Sequence, residues 1–522
     1  MEFPGWLIVR LLILLLGCSA LSACNQSETP AQPDAAAPQA QPAASDSPAQ
    51  PNILVIISDD MGIETLASFG VGAVTPQTAT LDELATRGVS FSNFWAQPGC
   101  SPTRATIMTG RYGFRTGVGA PTGDNVAMGE MPQAPTVPAG VVEIPTGRDA
   151  RLARLGGMGG MGGDVGVVSP LANRTTWGMR LDEFTLPEAF NEHPELNYSK
   201  AAIGKWHLSD SRNGWENHPN LIGFEHFSGL LRCCPESYFA WVQLINGEFS
   251  TRTGYAPTDK VDEAISWLDA QDDDDPWFLY LAFNTPHNPL HLPPRELLQS
   301  DYSDRSDEEL RGDNRALFEA MIEAMDTEIG RLLDHIGADE LENTYVVFLG
   351  DNGTTSRLVR EPFRSGFAKN GVYNGGVSVP LLVTGPGVPS GQTTDALANS
   401  TDLFATLLEM AGIDMNEVVP DGVTVDSISL MPYLSNPGAE SIREWIYADA
   451  FFTDLGVRSG EYAMRNARYK LLVEEGVEHF FDMNSDPYEH NDLLAGELTQ
   501  EQASELAALR AELVALHATE GI

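Results

Sequence analysis

Residues 100–104 read CSPTR and combine a thiol with a guanidinium one helical turn later. Pro102 fixes its own φ and disfavours helix for the residue before it, so the backbone is expected to turn at this point. The following residues predict a helix to about Thr109, which places Cys100 at a helix N-terminus, where backbone N–H groups favour anions. Arg104 lies on the first turn and suits bidentate contacts with an oxyanion. The pattern indicates a reactive atom in an anion-binding cradle, or else a buried thiol that packs as a small hydrophobic side chain.

Two predicted strands, residues 52–58 and 344–349, each lead to a pair of oxygen-bearing side chains. Both are continuous apolar runs, which are typical of strands buried on both faces. The pairs are Asp59 with Asp60 and Asp351 with Asn352. Ligands of open α/β sheets bind beyond the carboxyl ends of strands, so the pairs are expected there. Three carboxylates and an amide suit a hard cation such as Ca²⁺, which takes about 6–8 oxygen ligands, better than they suit zinc. Either pair alone is explained as a turn or a helix cap.

Basic side chains follow further predicted strands. Residues 198–203 lead to Lys205 and His207, residues 278–283 lead to His287, and Lys369 follows the second acidic pair. Together with Arg104 these groups can neutralise a tetrahedral oxyanion and supply a general acid and a general base. Most of the ten histidines must have ordinary core or surface roles, and this is the interpretation for His193, His218, His335 and His517. His291, four residues after His287, is a further candidate for the same pocket.

The elements that must position these residues alternate between strand and helix from residue 51 to about 412. Helices are predicted at 78–87, 100–109, 186–191, 260–269, 314–336 and 402–411, and further strands at 89–94 and 379–384. This order predicts an α/β fold with a mainly parallel central sheet and helices on both faces. After about residue 440, short antiparallel strands at 445–452, 461–465, 469–473 and 478–482 and a helix at 499–517 predict a smaller C-terminal α+β subdomain with an antiparallel sheet.

The predicted domains begin with an export signal. In residues 1–24, Arg10 precedes an apolar run, and the small residues before Cys24 are typical of a bacterial lipoprotein signal, with an uncleaved anchor helix as the alternative. Residues 25–50 are rich in Ala and Pro and are predicted to be a disordered tether. A catalytic domain is predicted at 51–440, with an irregular insertion at about 120–180 whose safer interpretation is a mobile loop, and the C-terminal subdomain at 441–522. The folded part is therefore expected outside the cytoplasm, in the periplasm or at the cell surface, held to a membrane through lipid on Cys24.

The charge and the cysteines restrict the function further. The 522-residue chain has 73 acidic and 31 basic residues and a net charge of −42, which argues against nucleic acid as a partner. Any site for an anion must therefore be locally basic. Cys18 and Cys24 belong to the signal, and the adjacent Cys233 and Cys234 fit a vicinal disulfide, two free thiols or a pocket-lining turn. Cys100 is left unpaired in an exported chain, which indicates a reactive or modified residue.

These motifs together resemble those of the type I sulfatases, in the alkaline-phosphatase-like superfamily. Residues 100–104 match the family's Cys-x-Pro-x-Arg signature, and Thr-Gly-Arg at 109–111 matches its extension. The acidic pairs and Gly-Lys-Trp-His at 204–207 make the match specific. The resemblance runs from about residue 52 to 493 and includes Arg-Tyr-Lys at 468–470, Phe-Asp at 481–482, Asp-Pro at 486–487, Glu489 and Asn491.

The resemblance implies the chemistry of the site. In this family the signature cysteine is oxidised by a maturation enzyme to formylglycine (3-oxoalanine), which would account for the unpaired Cys100. By analogy, one Ca²⁺ is held by the modified residue 100 with Asp59, Asp60, Asp351 and Asn352. Arg104, Lys205, His207, His287 and Lys369 would surround the sulfate. The implied activity is removal of sulfate from a sulfated carbohydrate or an aryl sulfate.

The mechanism implied by the resemblance uses the hydrated aldehyde. One hydroxyl, activated by Ca²⁺ and a base such as Asp351, attacks sulfur, and His287 or Lys369 protonates the leaving alcohol. His207 then removes the proton of the second hydroxyl, sulfate is expelled and the aldehyde returns. A serine at this position would lack that second hydroxyl.

The match has departures, and two other functions stay open. Family members often carry Glu and Arg beside the Gly-Gly that follows the lysine, whereas Asn374 and Ser378 occupy those places here. A phosphonate or phosphate ester hydrolase on the same scaffold is the main alternative, because the cradle fits any tetrahedral oxyanion. A lipid-anchored binding protein for sulfated glycans, on an inactive scaffold, is the alternative from another class.

Overall fold

Residues 50–122, 132–144, 178–272, 275–454 and 457–519 are described by a computed structural model, without the side chains of residues 452–459. The predicted signal, nearly all of the tether and most of the 120–180 insertion lie outside these ranges. The described residues from position 50 onward belong to one compact unit. Within these ranges, no helix is both long and apolar enough to cross a bilayer.

The strands and helices are numbered in chain order. The strands are β1 Asn52–Ser58, β2 Val89–Phe91, β3 Phe94–Trp95, β4 Glu143–Ile144, β5 Ser199–Lys205, β6 His226–Leu230, β7 Trp241–Ile245, β8 Glu248–Arg252, β9 Trp277–Ala282, β10 Leu290–His291, β11 Thr344–Gly350, β12 Leu381–Thr384, β13 Gln392–Thr394, β14 Ala398–Asn399, β15 Ile446–Asp454, β16 Val457–Arg465, β17 Tyr469–Glu474 and β18 Val477–Asp482. The helices are α1 Ala79–Arg87, α2 Cys100–Thr109, α3 Gly113–Thr116, α4 Leu186–Asn191, α5 His218–Leu221, α6 Ala256–Leu268, α7 Asp307–Arg311, α8 Asn314–Ile336, α9 Ala338–Leu341, α10 Asn374–Val377, α11 Asp402–Met410, α12 Met415–Val418, α13 Met431–Ser435 and α14 Gln500–Ala518.

A ten-stranded sheet has the order β13-β2-β12-β11-β1-β9-β5-β6-β7-β8. Its five middle strands, β11, β1, β9, β5 and β6, run parallel, and antiparallel strands flank them on both sides. Strand β1 is buried on both faces, because Ile53, Val55 and Ile57 belong to one apolar cluster while Leu54 and Ile56 belong to another. The prediction of an α/β fold with a mainly parallel central sheet is confirmed.

A separate four-stranded antiparallel sheet contains β15, β16, β17 and β18 in chain order. Helix α14 covers it with a stripe of leucines at helical spacing, Leu506, Leu509, Leu513 and Leu516. The same apolar cluster includes Tyr112 and Phe114, which follow α2 directly. The second sheet therefore packs against the residues that directly follow α2, the helix that begins with the CSPTR sequence.

Most predicted elements are found, and three expectations are wrong in detail. The predicted strand at 89–94 is split into β2 and β3, which pair in different sheets. The insertion is not wholly irregular, since β4 pairs with β10. Residues 226–252 form β6, β7 and β8, although no strand is predicted there. Strand β8 is mostly exposed at the sheet edge, so it has no buried apolar run to indicate it.

Gly204 lets β5 approach β9 just before Lys205. Its φ is +105°, and a Cβ atom there would lie 1.9 Å from the carbonyl oxygen of Ala282. We expect Gly204→Ala to lower the free energy of unfolding by about 3 kcal/mol or more, because backbone strain adds to the clash. Gly117→Ala is the matched control, since Gly117 has a φ of +79° but no heavy atom within 4 Å, and should cost about 1–2 kcal/mol. Urea unfolding measures both, and equal losses would contradict the steric argument.

Candidate active site

The carboxyl ends of four neighbouring strands carry most of the candidate residues. In the sheet order β11-β1-β9-β5, these ends lead to Asp351, Asp59, His287 and Lys205 in turn. The strands are parallel, so their carboxyl ends lie side by side at one edge of the sheet. Helix α2 brings Cys100 and its signature to the same edge.

Cys100 is buried at the first position of α2, and its Sγ lies 3.1 Å from Nδ1 of His207. The other ring nitrogen of His207, Nε2, lies 3.0 Å from the carbonyl oxygen of Thr122. A carbonyl only accepts, so this contact assigns the proton to Nε2 and leaves Nδ1 as an acceptor toward residue 100. His207 is therefore arranged as a base for a group at this position.

The backbone of His207 is held in an unusual conformation. Its φ is +58°, in the left-handed region that a histidine seldom occupies. The hydroxyls of Ser101 and Thr122 both donate to its carbonyl oxygen, at 2.7 and 3.2 Å. Thr122 also donates its N–H to the hydroxyl oxygen of Ser101 at 2.9 Å. These contacts hold a strained residue in place, as is common at functional sites.

Arg104 is fully buried and joins three parts of the site. It donates to Oδ2 of Asp351 at 2.8 Å and to the carbonyl oxygen of Lys205 at 2.8 Å. Burial alone would lower the pKa of Arg104, but Tyr280 and the acidic side chains of Asp351 and Asp59 outweigh it and raise the pKa. The guanidinium is thus a permanent positive charge beside Cys100.

Two lysines form ion pairs with the carboxylates of the first acidic pair, Asp59 and Asp60. Lys205 donates to Oδ2 of Asp59 at 2.6 Å, and Lys369 pairs with Oδ1 of Asp60. Burial raises the pKa of Asp60, but the charge of Lys369 is the main cause that offsets it and lowers the pKa to about 2. Burial alone would lower the pKa of Lys369, because it disfavours the charged ammonium. The nearby carboxylate of Asp60 outweighs burial, so the pKa of Lys369 is raised. Lys369 is therefore a protonated cation at neutral pH.

Three buried oxygens in this cluster accept no hydrogen bond from the described residues. They are Oδ1 of Asp59, Oδ2 of Asp60 and Oδ1 of Asn352. A ligand atom of Asp59, the Cys100 sulfur and a ligand atom of Asp351 also lie within 4.8 Å of one another. Burial is the main cause that raises the pKa of Asp59 well above its usual value, helped by Asp351 and Asp60. Unsatisfied buried oxygens are costly, and a hard cation would satisfy them, so these residues fit one.

His287 faces the same cluster as a neutral imidazole. Burial lowers its pKa to about 3, although Asp60 opposes this shift. Its Nδ1 lies 2.9 Å from the carbonyl oxygen of Asn288, which assigns the proton to Nδ1, and its Nε2 lies 3.8 Å from Oδ2 of Asp60. The hydroxyl of Tyr238 contacts the carbonyl oxygen of His287 at 2.7 Å and fixes this turn.

The structure brings all ten predicted site residues into one connected cluster at the sheet edge: Asp59, Asp60, Cys100, Arg104, Lys205, His207, His287, Asp351, Asn352 and Lys369. Sequence reasoning missed Ser101, Thr122 and Tyr238, which position the two histidines. Ser101 lies within the signature, so its place there was the available signal. Thr122 and Tyr238 had none, because only the fold brings them near.

The remaining cysteine pair and His291 lie near this edge with other partners. Cys233 and Cys234 form a disulfide with each other, and Asn284 donates its side-chain N–H to the carbonyl oxygen of Cys233 at 3.0 Å. His291 is buried, packs against the ring of Tyr238 and lies 3.1 Å from the hydroxyl of Tyr255. The structure thus gives His291 an aromatic packing role.

His218 is a buried core histidine that is expected to make the stability of the protein sensitive to acid. It accepts the indole N–H of Trp206 at Nδ1, and its Nε2 lies 2.8 Å from the carbonyl oxygen of Met179. Burial lowers its pKa to about 4, whereas an unfolded histidine has a pKa of about 6.5. Between these values the unfolded chain binds one more proton than the folded chain, so stability falls as pH falls. We expect this residue to cost about 2 kcal/mol between pH 7 and pH 5.

His218→Gln tests this, because a glutamine side chain can keep both hydrogen bonds without titrating. Urea unfolding at pH 7 and pH 5 should show a smaller acid-induced loss in this variant than in the wild type. His335→Gln is the control, since His335 is partly exposed and paired with Asp269. An unchanged loss in His218→Gln would contradict the assignment.

Comparison with known families shows which family the chain belongs to. The family profile described as “Sulfatase” matches residues 51–413, more than half of the chain. The chain belongs to the sulfatase family. A second profile, “N-sulphoglucosamine sulphohydrolase, C-terminal”, matches residues 364–518 of this sulfatase. The resemblance drawn from the motifs is therefore confirmed at the level of the family.

Relatives of this sulfatase are similar over most of its length. It is 27% identical over 473 residues to the ulvan-active sulfatase of Formosa agariphila, covering 86% of this chain and 78% of that protein. Human N-acetylgalactosamine-6-sulfatase is 27% identical over 417 residues, covering 75% of this chain and 67% of that protein. The uncharacterized sulfatase YdeN of Escherichia coli K12 is 26% identical over 436 residues, and the match covers 74% of this chain and 66% of YdeN, just under two thirds.

A solved structure shows the same fold. The crystal structure of Ps i-CgsB in complex with k-i-k-neocarrahexaose has a TM-score of 0.66 and 24% identity to this chain, and the match covers 90% of this chain and 92% of that chain.

Proposed function

We propose that this sulfatase hydrolyses sulfate esters through a formylglycine made from Cys100, with Ca²⁺ held at the acidic cluster. The observation that carries the proposal is the contact of 3.1 Å between the Cys100 sulfur and Nδ1 of His207, beside the unsatisfied buried oxygens of Asp59 and Asn352. The site thus provides a base, a fixed positive charge and oxygen ligands around one modifiable atom.

Different side chains have different roles in the proposed reaction. Hydrated formylglycine at residue 100 would supply one hydroxyl as nucleophile and a second whose deprotonation restores the aldehyde, and a bound cation would add positive charge beside them. Nδ1 of His207 is placed to take a proton from residue 100, and Nε2 keeps its own proton against Thr122. Arg104 stabilises negative charge developing next to residue 100.

The leaving alcohol needs a proton from a group on the other side of the cluster. Lys369 is protonated, because the carboxylate of Asp60 raises its pKa. His287 is neutral, because burial lowers its pKa to about 3, and its Nε2 accepts. Of the two candidates, Lys369 is therefore the one that carries a proton to give at neutral pH, and His287 is suited to accept a hydrogen bond from the substrate.

The substrate class proposed is a sulfated glycan. Two relatives carry names that refer to such compounds, the ulvan-active sulfatase and N-acetylgalactosamine-6-sulfatase. Aryl sulfates serve as convenient test substrates for the same chemistry, because the leaving group is a good one.

We also propose that the protein is exported and held to a membrane through lipid on Cys24. The basis is the sequence of residues 1–24 and the Ala- and Pro-rich segment that follows. Membrane fractionation of the wild type and Cys24→Ala, with detection of the whole chain, tests this. Retention of Cys24→Ala in the membrane fraction would contradict lipid anchoring.

Peptide mass analysis tests the proposed modification directly. Trypsin cleavage after Arg87 and Arg104 yields the peptide 88–104, in which Cys100 is the single cysteine. We expect this peptide to carry an aldehyde that reacts with a hydrazide and not with iodoacetamide. An unmodified thiol in fully active enzyme would overturn the proposal.

Rates on 4-nitrophenyl sulfate and 4-nitrophenyl phosphate, measured side by side, test the reaction class. The sulfate ester is expected to have the higher kcat/KM. Preference for the phosphate ester would instead support a phosphate ester hydrolase on this scaffold, and inactivity on all esters with intact glycan binding would support a binding protein.

A further inference from the structure

The loop of residues 354–369 joins two parts of the catalytic cluster. It begins after Asn352 and ends at Lys369, whose amide donates to the carbonyl oxygen of Thr354 at 3.1 Å. The hydroxyl of Thr354 accepts from the amide of Gly62 at 3.2 Å, two residues after Asp60. Both ends of the loop are thus fixed beside the proposed metal ligands.

This loop is basic in a strongly acidic chain. Between its two ends it carries Arg357, Arg360 and Arg364 against one carboxylate, Glu361, whereas the whole chain has 73 acidic and 31 basic residues. A net charge of −42 repels any polyanion that approaches. Local positive charge beside the site therefore has a disproportionate effect on which anions reach it.

The arginines are exposed and only weakly neutralised. Arg357 has no hydrogen-bond or ion-pair partner among the described residues, and its side chain is exposed. The Arg360 side chain is 44% exposed and lies 3.6 Å from Glu319, which is a weak pair. Arg364 donates to the carbonyl oxygen of Glu489 at 2.7 Å, so its charge is not cancelled by a carboxylate.

A surface cavity with a volume of about 250 Å³ lies beside the loop. Its lining includes Arg360 and Glu361 from the loop, and Arg315, Glu64 and Val74 from neighbouring segments. Arg315 is held by Glu319 and donates to the carbonyl oxygen of Leu358. Arg315 is thus already engaged, and Arg360 is the lining guanidinium that can donate to an anionic substituent, while the lining carboxylates can accept from sugar hydroxyls.

We propose that the loop of residues 354–369, with this cavity, is an extension subsite that binds further anionic groups of the substrate. This inference rests on the proposed function and narrows its substrate class. The substrate is then a polyanionic glycan, with sulfates or carboxylates beyond the sulfate that is cleaved. A neutral or singly sulfated compound would gain nothing from these arginines.

Direct binding is the first test. Fluorescein-labelled dextran sulfate is titrated with the full chain and followed by fluorescence anisotropy, with uncharged dextran as the ligand control. We expect the double variant Arg357→Gln/Arg360→Gln to bind dextran sulfate about 10-fold more weakly and to show a shallower dependence of binding on salt. The matched control is Arg87→Gln/Arg510→Gln, which removes two exposed arginines that lie in pairs with Glu83 and Glu478. Equal weakening in both double variants, or none in the loop variant, would overturn the inference.

Turnover is the second test. The ratio of kcat/KM for dextran sulfate desulfation to kcat/KM for 4-nitrophenyl sulfate should fall about 10-fold in the loop variant and stay constant in the control variant. Because binding is measured without turnover, the two proposals can fail separately. Loop-dependent binding without hydrolysis contradicts the proposed function alone, and hydrolysis with loop-independent binding contradicts this inference alone.

Discussion

Replacing Cys100 with alanine is expected to lower kcat for 4-nitrophenyl sulfate by about 10⁴-fold or more, because the variant cannot form the nucleophile. The side chain is 1% exposed and sits at the start of a helix whose residues are all buried. Removing its sulfur leaves a small cavity, so a modest loss of stability accompanies the loss of activity. Thermal unfolding separates the two effects, because a folded but inactive variant identifies a chemical role.

The variant Cys100→Ser tests whether the second hydroxyl of the nucleophile is needed for turnover. A serine offers one hydroxyl, which can attack sulfur with a base such as Asp351, but it has no second hydroxyl from which His207 could take a proton to expel the product. We expect a single turnover at most, with one SO₃ group retained on the peptide 88–104 by mass analysis. Sustained turnover by Cys100→Ser, or activity of Cys100→Ala within a factor of ten of the wild type, would contradict a nucleophile at residue 100.

Removal of the cation is expected to have the second largest effect. Without a bound ion, Asp59, Asp60 and Asn352 each keep a buried oxygen that no described group satisfies. We expect chelation with EGTA to lower kcat/KM by about 10³-fold and added Ca²⁺ to restore it, because the ion supplies positive charge beside the reacting atoms. Calcium at 100 times its Kd should also stabilise the folded chain by about 2.7 kcal/mol.

Asp59→Asn is the corresponding variant, and it should lose the calcium-dependent rise in Tm as well as activity. Burial raises the pKa of Asp59, and a carboxyl binds calcium only in its ionised form, so calcium affinity should weaken as pH falls. Asp82→Asn is the control, because Asp82 is a partly buried carboxyl in helix α1, outside the cluster. A rise in Tm with calcium that persists in Asp59→Asn would show that the ion binds elsewhere.

Much of this site was predictable because its residues follow strand ends. The apolar runs before Asp59 and Asp351 indicate buried parallel strands, and the carboxyl ends of such strands meet at one edge. Helix α2 was predictable with its bounds, since Pro102 fixes its beginning and Gly110 ends it with a φ of +66°. Local sequence therefore contained both the ligand pairs and the position of the thiol.

Other parts depend on contacts between distant residues. The pairing of Lys369 with Asp60 joins residues 309 positions apart, and no local pattern indicates it. Thr122 orients His207 from a different loop, and Tyr238 holds the turn of His287 across the sheet edge. The order of the strands in the sheet is likewise not written in local periodicity, because it depends on which distant segments pair.

Because every residue of α2 is buried, the proposed conversion of Cys100 can occur only before the chain has folded. No modifying enzyme reaches a side chain that is 1% exposed, so the oxidation must precede folding. Strand β11, which leads to Asp351 beside Cys100, begins at Thr344, long after the signature in the order of synthesis. At about 5–20 residues per second, the signature waits roughly 10–50 s before its surroundings exist. The yield of active protein then depends on whether Cys100 is oxidised before the chain folds around it.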